Sequence, residues 1–114
     1  MVFRLFALCA FMIVQAATGM AAAHDFRSSD GVRLHYTSNG KGEVIVLVPG
    51  WTMPASIWTP QIEHFSQHYR VVAFDPRSQG ASAIARSGHN MARRSKDIAE
   101  LIAHLKVPRV VLVG

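Results

Sequence analysis

The sequence feature that most constrains the fold is the apolar run Val44–Val48, which is followed directly by Pro49, Gly50 and Trp51. Consecutive β-branched or aliphatic residues without polar alternation are typical of a strand covered on both faces, as in a parallel sheet flanked by helices. Proline interrupts a central ladder, and glycine lets the backbone come close to a ligand. Ligands of open α/β sheets bind at the carboxyl ends of the strands, so this loop is a candidate site. The alternative is a core strand with a simple exit turn.

The first 23 residues have the layout of a secretory signal peptide. Arg4 gives a positive start, Leu5–Ala17 is an almost unbroken apolar run, and Met20–Ala23 offers small residues for cleavage before His24. The run is shorter than the roughly 20 residues that span a membrane, although a retained anchor is the alternative. We therefore expect an exported protein, periplasmic or secreted, with no membrane association after cleavage. Cys9 is the only cysteine, so the mature chain would not depend on disulfides.

The charge of the chain argues against a nucleic-acid partner. There are 12 basic and 7 acidic side chains, for a net charge of +5, and removal of residues 1–23 takes away one arginine and no acid. A nucleic-acid surface requires a clustered basic stripe, whereas the basic residues here are scattered. We interpret the charge as a solvated surface.

Strands alternate with helices along the rest of the chain. Residues 24–28 and 32–37 predict an antiparallel hairpin around the turn Ser29-Asp30-Gly31. Three buried strands are predicted at Val44–Val48, Arg70–Phe74 and Arg109–Val113, and two helices at residues 57–68 and 90–105. This order predicts an α/β fold with a parallel sheet and helices on both faces.

Each predicted helix carries one apolar stripe. The stripes are Trp58, Ile62, Phe65 and Tyr69 in the first helix, and Met91, Arg94, Ile98, Leu101, Ile102 and Leu105 in the second. Arg94 is expected to lay its stem on the stripe and to keep its charge in water.

The sequence gives no signal for a cofactor or a metal. It contains neither G-x-G-x-x-G nor G-x-x-x-x-G-K-[ST], so a nucleotide cofactor is not predicted. His64 and His68 are four residues apart, but no glutamate lies between them as a zinc hydrolase would require. We interpret both histidines as solvent-exposed helix positions.

Loops with the composition of a site follow the first two buried strands, and there the sequence resembles the α/β-hydrolase fold family. The resemblance is to its esterase, lactonase and cofactor-free haloperoxidase-like branch, over residues 25–114. It rests on V-I-V-L-V-P-G-W, R-V-V-A-F-D-P-R-S-Q-G-A-S and V-V-L-V-G. It implies that residues 24–114 are the amino-terminal portion of an α/β-hydrolase domain, incomplete in this chain.

The resemblance implies a role for the loop after the first buried strand. The backbone N–H of Trp51 would help to hold the negative oxygen of a tetrahedral intermediate, and its indole would line an acyl pocket. Gly50 would support the loop. Pro49 departs from the family pattern, which usually has histidine there. The alternative is a tryptophan that only packs the loop.

The resemblance also implies a supporting role for the loop after the second buried strand. Asp75 is expected to accept backbone N–H bonds and to pair with Arg77, while Gly80 adopts a positive φ. Ser78 replaces the first glycine of the family loop. Asp75 is not expected to be the catalytic acid, which the family supplies after a later strand. Ser82 is a poor nucleophile candidate, because no sharp strand-to-helix turn presents it.

Gly114 matches the first glycine of the family's G-x-S-x-G motif, whose serine would lie two residues further on. None of the catalytic triad would then be in this chain, and the 114-residue polypeptide is expected to be inactive and poorly soluble. The leading hypothesis is an exported serine hydrolase acting on a small acyl substrate. The alternatives are a non-catalytic relative that binds a small ligand and a truncated product without function. The substrate and the oligomeric state stay open.

Overall fold

The computed structural model of the protein describes residues 21–114. The predicted signal peptide lies outside the described residues except for its last three positions. Strand β1 (Ala22–Arg27) and strand β2 (Arg33–Asn39) form the predicted antiparallel hairpin, paired from Ala22 with Ser38 to Arg27 with Arg33.

Three further strands complete one mixed sheet in the order β1-β2-β4-β3-β5. They are β3 (Val44–Leu47), β4 (Arg70–Asp75) and β5 (Val111–Val113). Strand β3 pairs in parallel with β4 on one side and with β5 on the other, whereas β2 pairs antiparallel with β4. The predicted fold class is confirmed: a hairpin leads into parallel strands joined by helical connections.

Helices cover both faces of the sheet. A short 3-10 helix (Ala55–Trp58) runs into α1 (Thr59–Phe65), with Pro60 in the first turn, where its missing N–H costs no hydrogen bond. The longer helix α2 (Met91–Leu105) begins where the Asn90 side chain accepts a bond from the Arg93 N–H, 2.8 Å away. It ends at Lys106, whose left-handed backbone reverses the chain before Pro108.

The main core lies between α2 and the sheet. Alternate residues of β2, β3 and β4 point to this face and contact Leu101 and Leu105 of α2. The members of the core are Phe26, Leu34, Tyr36, Val44, Val46, Val48, Val72, Phe74, Leu101 and Leu105. On the opposite face Leu47, Val71 and Ala73 are buried, and the 3-10 helix and α1 pack there against β4.

Predictions of burial are wrong at three places. Met91, on the stripe predicted for the second helix, is 66% exposed at the start of α2. The strand predicted at Arg109–Val113 is shorter, and Val111, Leu112 and Val113 are 54%, 54% and 38% exposed, because β5 is the edge strand of the described sheet. Of the stripe predicted on the first helix, Phe65 and Tyr69 are exposed. Because α1 ends at Phe65, Tyr69 lies beyond the helix and does not continue its stripe. Within residues 21–114 no helix combines the length and the apolar character that a membrane crossing needs.

Candidate active site

The loop at the carboxyl end of β3 presents a backbone donor. The N–H of Trp51 forms no hydrogen bond with another residue of the described range, and its side chain is half exposed. The next residue, Thr52, has φ 65°, a left-handed value that is rare for a β-branched side chain. A strained loop with a free donor is the kind of backbone that can bind a ligand oxygen.

Arg94 of α2 holds this loop from the other side. Its Nη2 donates a hydrogen bond to the carbonyl oxygen of Pro49, and its guanidinium carbon lies 5.8 Å from the centroid of the Trp51 ring. The expectation that Arg94 keeps its charge in water is therefore wrong. Burial lowers the pKa of this guanidinium, because the charged form loses solvation.

Two cavities meet at Trp51 and Arg94, which contribute to the walls of both. The strand-end cavity, about 420 Å³, lies between β3, the beginning of α2 and the end of β5; its wall includes Val48, Gly50, Ile98, Val113 and Gly114. The loop cavity, about 120 Å³, lies towards the loop after β4; its wall includes Phe74, Gln79, His89 and Asn90. A small acyl group has room in the larger of the two.

Gly50 and Gly114 both line the strand-end cavity. A Cβ at Gly50 would meet only the sulfur of Met53, at 3.5 Å, so the described surroundings do not demand glycine there. Gly114 follows β5, and the N–H of Val48 donates to the carbonyl of Val113 at 2.8 Å. The end of β5 thus lies beside the start of the Trp51 loop.

Asp75 lies at the end of β4 and holds two chain segments by their backbones, as predicted. Its carboxylate oxygens accept the N–H of Ala55 at 2.7 Å and the N–H of Ala81 at 3.0 Å. Gly80 has φ +50°, and a Cβ built on it would lie 2.4 Å from the Asp75 carboxyl carbon. The positive φ predicted for Gly80 is confirmed, and the carboxylate itself occupies the space that a side chain would need.

The predicted pair between Asp75 and Arg77 does not form. Asp75, the last residue of β4, faces the 3-10 helix, whereas Arg77 lies beyond the end of the strand, where the chain has turned and the side chain extends towards α2. There the Arg77 guanidinium makes two bonds of 2.8 Å to Asp97 and bonds of 2.9 and 3.1 Å to Asp30 in the hairpin turn. These bonds, first to Asp97 and then to Asp30, raise the pKa of Arg77.

Asp97 is the supporting residue that the sequence analysis missed. It is 1% exposed and also accepts a bond of 2.8 Å from Arg93, one turn earlier on α2. A signal was present: position 97 lies four residues before Leu101, on the buried face of the helix. An acid at such a position requires a partner, and the chain offers the buried Arg77.

The two serines of the loop after β4 have structural partners. The hydroxyl of Ser82 donates to the Asp75 carbonyl at 2.6 Å and accepts the His35 N–H at 2.8 Å, so it is committed to the backbone. Ser78 has φ 64°, a conformation that the glycine it replaces would adopt more easily. Its hydroxyl accepts the Ala85 N–H at 2.9 Å.

His64 and His68 are exposed, as the spacing indicated. Over residues 21–114, no three side chains of the histidine, cysteine, aspartate or glutamate type gather as a metal site would need.

A family model described as the alpha/beta hydrolase family matches residues 45–114 of this chain. A non-heme haloperoxidase of Rhodococcus erythropolis is 38% identical over 88 residues, which cover 76% of this chain and 32% of that relative. A soluble epoxide hydrolase of Corynebacterium sp. strain C12 is 31% identical over 85 residues, 75% of this chain and 30% of the relative. The chain thus spans about a third of the length of these relatives.

Solved structures give the same match at the level of the fold. An epoxide hydrolase solved without ligand superposes with a TM-score of 0.77 and 28% identity, over 83% of this chain and 33% of that one. An esterase of Exiguobacterium antarcticum superposes with a TM-score of 0.76 and 26% identity, over 79% of this chain and 34% of the esterase.

Proposed function

Because the chain belongs to the alpha/beta hydrolase family, we propose that the whole protein is an exported serine hydrolase that cleaves ester, lactone or similar acyl bonds. The observation that carries the proposal is the Trp51 N–H, which has no hydrogen-bond partner in the described range and belongs to a residue that lines a cavity. A donor fixed in place before the reaction stabilises the oxyanion of a tetrahedral intermediate without reorganisation.

In the proposed mechanism a serine two residues beyond Gly114 attacks the substrate carbonyl. A histidine from the rest of the protein takes the serine proton and passes it to the leaving group as the bond between that group and the carbonyl carbon breaks. Water, activated by the same histidine, then hydrolyses the acyl-serine and restores the free serine. The carbonyl oxygen becomes negative and accepts the Trp51 N–H. The position of Gly114 beside the start of the Trp51 loop supports this role, because it would bring nucleophile and donor to the same cavity.

The decisive experiment removes the donor atom and leaves the side chain in place. In the full-length protein, replacing Trp51 by its α-hydroxy analogue converts the peptide N–H to an ester oxygen. We expect kcat on 4-nitrophenyl esters to fall about 100- to 1000-fold, the usual cost of losing one oxyanion donor. Trp51→Pro removes the same N–H by ordinary mutagenesis.

Trp51→Ala is the matched control, since it keeps the N–H and removes only the indole. We expect it to change KM more than kcat, because the indole lines the cavity but does not touch the reacting oxygen. If the α-hydroxy variant keeps the wild-type kcat, Trp51 is not the donor. If the wild-type protein binds esters without cleaving them, the ligand-binding alternative replaces the proposal.

The relatives named as epoxide hydrolases and haloperoxidases make two further assays necessary. Epoxide opening and halide oxidation are measured beside ester cleavage at the same enzyme concentration. We expect ester or lactone cleavage to have the largest kcat/KM. A larger value for an epoxide would replace acyl transfer as the reaction.

Export is tested by the amino terminus of the mature protein. Cleavage before His24 would shorten β1 by Ala22 and Ala23, both of which are exposed. We expect mass spectrometry of the periplasmic or secreted protein to give His24 as the first residue. An intact residue 1 would contradict the signal peptide.

A further inference from the structure

Arg94 is a cation placed where a substrate would bind. It lies half-buried in α2, in the wall that the strand-end cavity shares with the loop cavity, beside the Trp51 ring. An arginine has five N–H donors, and only the bond to the Pro49 carbonyl engages one of them with an acceptor in residues 21–114. Such a group costs free energy to bury unless it has an anionic partner.

The acidic side chains near Arg94 form salt bridges with other arginines. Arg93, the preceding residue, lies within 3.5 Å of Asp30, 2.8 Å of Asp97 and 2.9 Å of Glu100. Arg77 forms salt bridges with Asp97 and Asp30 as well. For Arg94, in contrast, the described part of the chain supplies no carboxylate within 4.0 Å.

We propose that Arg94 binds a carboxylate of the substrate, so that the preferred acyl substrates carry a free carboxylate in addition to the bond that is cleaved. The guanidinium fork matches a planar carboxylate and can form two parallel hydrogen bonds with it. Arg77 and Arg93 already share the carboxylates of Asp30, Asp97 and Glu100. Arg94 pairs with none of these three carboxylates in residues 21–114, so its single positive charge matches one negative charge on the ligand. This inference rests on the proposed function and specifies its substrate class.

The bond from Arg94 to Pro49 gives the competing explanation that the residue only supports the loop. A supporting residue would affect every substrate equally, whereas a binding residue would distinguish charged from neutral substrates. The experiment therefore measures a ratio of kcat/KM values within each variant rather than one rate.

The substrates are mono-4-nitrophenyl esters of adipate and longer dicarboxylic acids, in which the second carboxylate is free. Each is compared with the same compound in which that carboxylate is a methyl ester. The full-length wild-type protein should prefer at least one half-ester over its methyl ester. Arg94→Gln should reduce that preference about 10- to 100-fold, the usual effect of removing a hydrogen bond between charged groups. Arg94→Lys keeps the charge without the fork and should give an intermediate preference.

Arg86→Gln is the matched control, since it removes the same charge from an exposed position with no described hydrogen bond. It should keep the wild-type preference. A wild-type protein without preference for half-esters would overturn the proposal. Equal losses on both members of the pair in Arg94→Gln would also overturn it, and would make Arg94 a loop support while the proposed function stands.

A binding measurement separates failure of this inference from failure of the proposed function. If no ester is cleaved, the proposed function fails, and calorimetric titration with monomethyl adipate still tests Arg94. Binding that is about tenfold weaker or more in Arg94→Gln than in wild type supports the carboxylate site. Equal affinities, or no binding to either protein, overturn it.

Discussion

The loops after β3 and β4 lie at the same edge of the sheet, but they use their polar groups in opposite ways. At the end of β4 and in the loop after it, the Asp75 carboxylate, the Arg77 guanidinium and the Ser82 hydroxyl are all hydrogen-bonded inside the protein. In the loop after β3, the Trp51 N–H has no partner in the described range, and Thr52 is held at a positive φ.

The difference separates support from candidate chemistry. Groups that are fully hydrogen-bonded in the protein stabilise one geometry, and they have no remaining capacity for a ligand. A donor that stays free in a strained loop contributes nothing to folding and is available to a substrate. The two loops therefore predict different outcomes of mutation: loss of stability after β4, and loss of activity after β3.

The largest effect on stability should come from Arg77→Met in the full-length protein. The substitution leaves Asp97 buried with Arg93 alone and removes two of the hydrogen bonds that Asp30 accepts. Breaking a buried ion pair costs about 3–5 kcal/mol, and we expect a loss of that size in the free energy of unfolding, measured by urea denaturation.

The control for this experiment is Arg109→Met, which breaks a salt bridge to Glu43 whose side chains are 81% and 62% exposed. An exposed pair contributes about 1 kcal/mol or less. If both variants lost the same free energy of unfolding, the buried bonds of Arg77 would not stabilise the protein more than an exposed salt bridge does.

A smaller loss is expected from Gly80→Ala. The new Cβ would collide with the Asp75 carboxyl, and alanine is disfavoured at φ +50°. We expect about 2–3 kcal/mol, from the backbone penalty together with a weakened carboxylate bond. Gly31→Ala isolates the backbone term, because Gly31 has φ +87° with no atom within 4 Å of the added Cβ. Gly31→Ala should cost about 1 kcal/mol. An equal cost for Gly80→Ala would show that the alanine Cβ does not disturb the Asp75 carboxyl.

The dependence of stability on pH should sharpen the role of the hairpin turn. The hydrogen bonds from Arg77 and then from Ser28 lower the pKa of Asp30. A carboxyl with a lowered folded pKa stabilises the protein above its unfolded pKa of about 3.9, and the stabilisation is lost as the pH falls below that value.

Asp30→Asn tests this assignment. Because Asp30 is partly exposed, we expect the free energy of unfolding of the variant to be only about 1 kcal/mol below that of wild type between pH 5 and 7. The difference between the two proteins should shrink as the pH falls towards 3. Urea denaturation across that range measures it. A difference independent of pH would show that the charge of Asp30 is not what supports Arg77.

The smallest effect is expected at Ser78. Ser78→Ala loses the bond to the Ala85 N–H and the exposed contact of 2.8 Å with His89 Nε2 but keeps the left-handed backbone, and should cost about 1 kcal/mol. Ser78→Gly loses the same two contacts but relieves the backbone, so its stability should lie within about 0.5 kcal/mol of wild type. If the glycine variant is no more stable than the alanine variant, the positive φ at this position carries no penalty.

Local patterns in the sequence were sufficient to predict the strands and helices. They also predicted part of the hydrogen bonding that holds the loop after β4. The apolar run of β3, the hairpin turn and the periodicity of α2 were all readable, because each depends on neighbours in the chain. The bonds accepted by Asp75 and the positive φ of Gly80 were expected from the resemblance of this loop to the family motif, together with the turn chemistry of aspartate and glycine.

Partners across the fold could not be predicted in the same way. The partner of Arg77 depends on which side of the sheet the chain leaves after β4, and two acids distant in sequence approach from that side. The contact of Arg94 with the Trp51 loop likewise requires the position of α2 over the end of the sheet. The exposure of β5 is set by its place at the edge of the sheet and not by its apolar composition.

The link between the hairpin turn and α2 has a consequence for how the protein opens. The N–H of Ser29 donates to the Glu100 carboxylate at 2.9 Å, across 71 positions of the chain, and Arg77 joins Asp30 to Asp97 beside it. The turn therefore cannot separate from the helix without breaking both connections. In hydrogen–deuterium exchange, the amides of the turn should exchange with the slow kinetics of the middle of α2, as one cooperative unit, although exposed turns ordinarily exchange first.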